Sequence, residues 1–68
     1  MLIKAILEND PTGYLPKGLA MEVESSAIVA ISRNSDGAVT LLTTGGAVFQ
    51  TQLNLQRVKD VIQEARGS

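Results

Sequence analysis

Four groups of residues in this 68-residue chain have types or spacing that could do chemistry. Glu22 and Glu24 are carboxylates at i and i+2, and so lie on one face of a strand. Such a pair can divide acid and base work in glycoside hydrolysis. That chemistry needs one carboxyl raised in pKa by an apolar cleft, whereas alternating glutamates on a strand more simply form its watered side. Gly45-Gly46 could approach a phosphate, but phosphate loops place several glycines between a strand and a helix, as in G-x-x-x-x-G-K-[ST]. Here the pair sits between two apolar runs with no lysine after it, which is the signature of a hairpin turn. Asn9-Asp10 and Asn34-Ser35-Asp36 could offer oxygen to a hard cation, yet neither follows D-x-[DN]-x-[DN]-G-x5-E. Both read as Asx-type turns.

Nucleophilic catalysis fares no better. There is no cysteine, and with no histidine a serine would need a lysine as its base, but no S-x-x-K spacing occurs. The expectation is a protein that is not an enzyme, with no cofactor and no metal. The lone tyrosine, Tyr14, stands beside Leu15 and Lys17 on the longest loop. Packing of Tyr14 and Leu15 over one end of the core is the favoured expectation, because a small domain needs its large side chains inside. Partner binding through Tyr14, Leu15 and Lys17 is the alternative, with a small-ligand pocket beneath the loop as a further one. Arg57, Lys59 and Arg66 are interleaved with Asp60 and Glu64, a mixed-sign face that is ordinarily just solvated. A nucleic-acid-binding regulator using these residues with Lys17 and Arg33 is kept only as an alternative function.

The elements that must position these residues follow from the apolar pattern. Leu2–Leu7 is apolar on both faces apart from Lys4 and reads as a buried strand. "ENDPTGYLPKG" holds two prolines and two glycines and reads as a loop. Leu19, Met21 and Val23 then alternate with Ala20, Glu22 and Glu24 in a half-buried strand. Ser26–Ser32, "SAIVAIS", has no charge and would invite pairing on an open edge, so it is placed mid-sheet or at a subunit interface. "RNSDG" turns the chain into a strand over Ala38–Thr43, and "TTGG" turns it again into a strand over Ala47–Leu53. Asn54 is the expected N-cap of a helix whose apolar stripe is Leu55, Val58, Ile62 and Ala65, with Val61 at its margin.

The fold class expected is α+β: a small, mainly antiparallel sheet or partial barrel of four or five strands with one C-terminal helix. Residues 1–68 form a single domain, and Gly67-Ser68 reads as a cloning remnant. One short helix covers only one sheet face, while Leu2 and Ile6 oppose Ile3, Ala5 and Leu7, and Ile28 and Ala30 oppose Val29 and Ile31. Either the sheet curls, or a second subunit covers the other face. A homo-oligomer, most simply a two-fold dimer, is therefore expected, with Leu2, Ile6, Ile28 and Ala30 as candidate interface residues. The function expected is a small interaction, regulatory or assembly module acting through contacts with itself and with another protein.

The net charge of −1 gives no long-range attraction to phosphate backbones or anionic lipid. No apolar run is long enough to span a bilayer, the start "MLIKAIL" lacks the features of a signal peptide, and a cytoplasmic location is the default expectation. The segment from Ile28 to Ile62 also resembles two families in pattern. Gly46, Phe49, Asn54, Leu55, Val58 and Ile62 are similar in spacing to the hairpin, cap and helix of small flagellar FlbD-like and swarming-motility proteins, which implies a regulatory or assembly accessory role. "IVAI" looks like a strand in the first half of LytTR-type DNA-binding domains. That family's later basic strands are missing here, so its DNA-binding function is not carried over.

Overall fold

The computed structural model describes residues 1–67; the Ser68 of the expected remnant lies outside them, and Gly67 ends the helix. Five strands are followed by one helix: β1 (Leu2–Asn9), β2 (Ala20–Glu24), β3 (Ile28–Arg33), β4 (Val39–Thr43), β5 (Val48–Thr51) and α1 (Leu55–Gly67). A short 3-10 turn, Ser25–Ala27, joins β2 to β3. The strands form one antiparallel sheet in the order β2-β1-β5-β4-β3. The α+β class read from the sequence is the class observed.

That order carries a constraint. β2 and β3 are the two edges, yet only the 3-10 turn separates them in sequence. In a flat five-stranded sheet the edges would lie about 19 Å apart, whereas the chain from Glu24 to Ile28 reaches at most about 14 Å. The sheet must therefore curl at this end. β2 and β3 do not pair, so the curl stops short of a barrel. Ser25 is fully buried at the corner, its amide donating to the Met1 carbonyl at 2.8 Å.

All three hairpins close by one device. The amide of Gly18, Gly37 or Gly46 donates to the carbonyl of Leu7, Asn34 or Thr43 respectively. The amides of those three residues donate in turn to the carbonyls of Leu19, Ala38 and Ala47. Each glycine has φ between +86° and +91°, a left-handed conformation that a Cβ penalises, and the pairing is that of a G1 bulge. Of the Gly45-Gly46 pair only Gly46 is in this conformation. A Cβ there would also meet Pro11 Cγ of the long loop at 3.3 Å.

The concave face of the sheet holds the core: Ile3, Ala5 and Leu7 of β1 meet Val23, Val39, Leu41 and Phe49 under Val58 and Val61 of α1. Asn54 caps the helix as expected, its Oδ1 accepting from the Arg57 amide at 2.7 Å. Val61, placed at the stripe's margin by the sequence reading, is instead buried beside Val58, while Leu55, Ile62 and Ala65 are half-buried. The reason is that α1 does not lie across the middle of the sheet. It packs on the corner turn and β3, so its buried arc is rotated toward Val61. β1 and β5 join the first hairpin to the β3–β4–β5 meander, and the Thr51 hydroxyl donates to the Lys4 carbonyl across that seam at 2.9 Å.

Two further expectations are corrected. Of the two placements expected for Ser26–Ser32, the one in mid-sheet is overturned, because β3 is an edge strand. Its register with β4 shifts between Ile28 and Ala30, a bulge at Val29. Ile28 and Ile31 consequently both oppose core-facing β4 residues, Thr43 and Leu41, while Ala30 opposes Leu42. The strict alternation assumed for this strand breaks at that extra residue.

Candidate functional site

Among the described residues, no element of the chain covers the outer face of the sheet. Along the rows set by the strand register, Leu2 stands beside Glu24, Lys4 beside Glu22, and Ile6 between Ala20 and Gln50. At the far side Leu42 lies between Val48 and Ala30. Leu2 is 61% exposed, Ile6 42% and Leu42 38%. Lys4, Ile6, Ala20, Glu22 and Gln50 of this face, with Leu53 after β5, line a hollow of about 530 Å³.

Of the four candidate interface residues, Leu2, Ile6 and Ala30 are on this outer face. Ile28 is not: it is buried at the top of β3, because the bulge turns it inward under α1. Leu42 joins the face in its place. Leu42 is not among the four expected interface residues, and the signal for it in the sequence is its alternation with the inward Leu41 in the apolar run of β4.

Tyr14, Leu15 and Lys17 come together on the β1–β2 loop, but not over the core. Tyr14 is 88% exposed, and Leu15 and Lys17 are exposed beside it. The favoured packing of Tyr14 against the core is therefore overturned. Asp10 explains why: its carboxylate accepts from the Thr12 amide at 3.0 Å, the Thr12 hydroxyl at 2.6 Å and the Leu15 amide at 2.9 Å. With a turn at Asp10–Gly13 and a second at Pro16–Leu19, the backbone is committed on both sides and Tyr14 is left at the apex. The Thr12 hydroxyl bond, then the Leu15 amide, hold the Asp10 carboxyl below its ordinary pKa. Neither this hollow nor the groove beside β3 described below is lined by the loop's Tyr14, Leu15 or Lys17.

The remaining candidates are structural. Asp36 accepts from the Ala38 amide at 3.1 Å and Asn34 from the Thr40 hydroxyl at 2.9 Å, which makes both parts of a turn. Glu22 and Glu24 are both exposed. Glu24 takes a hydrogen bond from the N-terminal ammonium at 2.7 Å, and that contact lowers its pKa, the opposite of what a general acid at neutral pH requires. No group of three or more His, Cys, Asp or Glu among the described residues could hold a metal ion. No helix among the described residues is long and apolar enough to cross a membrane.

A second, separate groove of about 410 Å³ runs between the open edge of β3 and α1. Val29 and Ile31 line it from the strand, and Lys59, Ile62 and Arg66 from the helix. Comparison with known proteins returns no matching family description, no matching curated protein and no matching solved structure.

Proposed function

We propose that this domain is a non-enzymatic interaction module that assembles with a second copy of itself through the outer face of its sheet. The observation that carries the reading is the set Leu2, Ile6 and Leu42, which remains exposed on a face that no described residue covers. A two-fold dimer needs a self-complementary surface. The charges around this face meet that need: Lys4 of one copy can oppose Glu22 or Glu24 of the other, around an apolar centre at Ile6 and Ala20. The absence of histidine and cysteine and the engaged state of the turn carboxylates support a role in assembly over catalysis. So does the resemblance of Ile28–Ile62 to the FlbD-like pattern. Tyr14, Leu15 and Lys17 offer a separate surface suited to contact with a different protein.

Light scattering coupled to size-exclusion chromatography tests the dimer. The unmodified chain is expected to run as a dimer, and Ile6→Glu or Leu42→Glu as a monomer with an unchanged circular dichroism spectrum. A chain that stays monomeric at millimolar concentration overturns the reading.

A further inference from the structure

The open edge of β3 has backbone groups to offer. The Asn34 amide donates to the Ala38 carbonyl at 2.7 Å, and the Thr43 amide to the Ala47 carbonyl at 3.1 Å. These bonds set the alternation of the ladder: Ala38, Thr40 and Leu42 face β3, while Val39, Leu41 and Thr43 face β5. On β3, Ser32 and Ala30 are thus committed to β4, and Ile31 and Arg33 turn their N–H and C=O groups to the open side. These are the four groups that an added strand would bond.

The walls say what kind of strand would fit. Ile28–Ser32 is uncharged, Val29 is 56% exposed and Ile31 half-buried. Across the groove, Lys59, Ile62 and Arg66 repeat at i, i+3 and i+7 on one side of α1. No carboxylate lines the groove, and neither cation has an ion-pair partner among the described residues, where the single ion pair is between the N-terminus and Glu24. Seven residues of helix span about 10.5 Å, and same-face residues of a strand repeat every 6.7 Å or so. Three successive same-face residues, acidic, apolar and acidic, would therefore straddle Lys59, Ile62 and Arg66 within the reach of those side chains.

We infer that the groove between β3 and α1 binds an extended acidic segment of another protein, added as a sixth strand beside β3. Its backbone bonds Ile31 and Arg33, its carboxylates meet Lys59 and Arg66, and the apolar residue between them packs on Ile62. A second copy of this chain is the poorer occupant. Pairing β3 with itself across a two-fold axis would bring the Lys59 and Arg66 side chains of two helices against one another, a like-charge contact. The site is also distinct from the outer face proposed for the dimer, so each can fail without the other.

The probe is a labelled, capped heptapeptide in which threonine alternates with glutamate, valine and glutamate, titrated against the full chain by fluorescence anisotropy. Binding is expected, with amide shifts in NMR spectra concentrated at Ile31 and Arg33. Replacing both glutamates of the peptide by glutamine, or making Lys59→Glu with Arg66→Glu, should weaken binding about tenfold or more. The doubly reversed protein should in turn take the peptide carrying lysine in place of glutamate, which separates charge recognition from misfolding. The inference is overturned by equal binding of the glutamine peptide or by no binding at all. Tighter binding of a single-stranded oligonucleotide than of the acidic peptide overturns it too, as do dilution-dependent shifts of the same two amides without peptide.

Discussion

The two open edges of the sheet are guarded in different ways. On β2, the Leu7–Leu19 and Met1–Ser25 bonds commit Met21 and Val23 to β1 and leave Ala20, Glu22 and Glu24 with their backbones turned outward. Two of those three carry a carboxylate, a charge that discourages a further strand. On β3 the outward residues are Ile31 and Arg33, the preceding segment is uncharged, and protection comes from the bulge at Val29 and from α1 alongside. A charged edge refuses strands in general. An edge flanked by a helix admits one, provided its side chains suit the groove. The difference is therefore one of function as well as solubility: β2 is closed by electrostatics, and β3 is selective by shape and charge.

Removing what anchors β3 should have the largest effect. Ile28→Ala deletes a buried side chain between β3 and α1 and is expected to cost about 2–5 kcal/mol of stability in urea denaturation. Val29→Ala, one residue on but exposed, should stay within about 0.5 kcal/mol. Equal costs would mean that the bulge does not divide the strand as described. Smaller, and more pointed, is Asn54→Ala, which removes the helix cap at a cost of about 1 kcal/mol. Because α1 packs chiefly on the corner turn and β3, amide hydrogen exchange at Ala30 and Ser32 should accelerate more than at Met21 and Val23. A uniform acceleration would show that the helix supports both edges alike.

The smallest effect belongs to β2. The N-terminal ammonium lowers the Glu24 pKa in the folded chain. The stability it lends is thus present above the unfolded glutamate value, about 4.3, and is lost as the pH falls through the lower folded one. Both partners are about half exposed, so the change is small. Carboxyl chemical shifts followed by NMR should place the Glu24 midpoint below that of an unfolded reference peptide, and a midpoint above it would remove the contact.

Much of this was legible in the residues. The strands, the turns at Gly37 and Gly46, and the Asn54 cap follow from local chemistry: left-handed φ selects glycine, and a free first turn selects an amide oxygen. What was not legible depends on distant parts of the chain. Nothing in "SAIVAIS" announces that its strand lies at an edge, because that depends on β1 pairing with β5 rather than β3. The bulge that buries Ile28 inserts one residue into an apolar run with no glycine to mark it. Tyr14 stays off the core because the Asp10 carboxylate accepts from the Leu15 amide five residues on and commits the loop backbone, while Val58 already seals the core. The groove beside β3 is not legible in the sequence either, because its two walls, Ile31 and Ile62, meet only when α1 packs back on β3.

The seam between β1 and β5 has a consequence for how the molecule forms. The first hairpin and the three-strand meander are each built from neighbours in sequence, and each is closed by a glycine turn. The two units pair at Ile6–Gln50, Leu7–Phe49 and Asn9–Val48, with the Thr51–Lys4 bond beside them, between parts of the chain far apart in sequence. The entropy of closing that long span falls on one set of contacts, and half the core is completed only when they form. Cooperative folding of the two units is thus expected to depend on the join between them, and a substitution at Leu7 or Phe49 should loosen both.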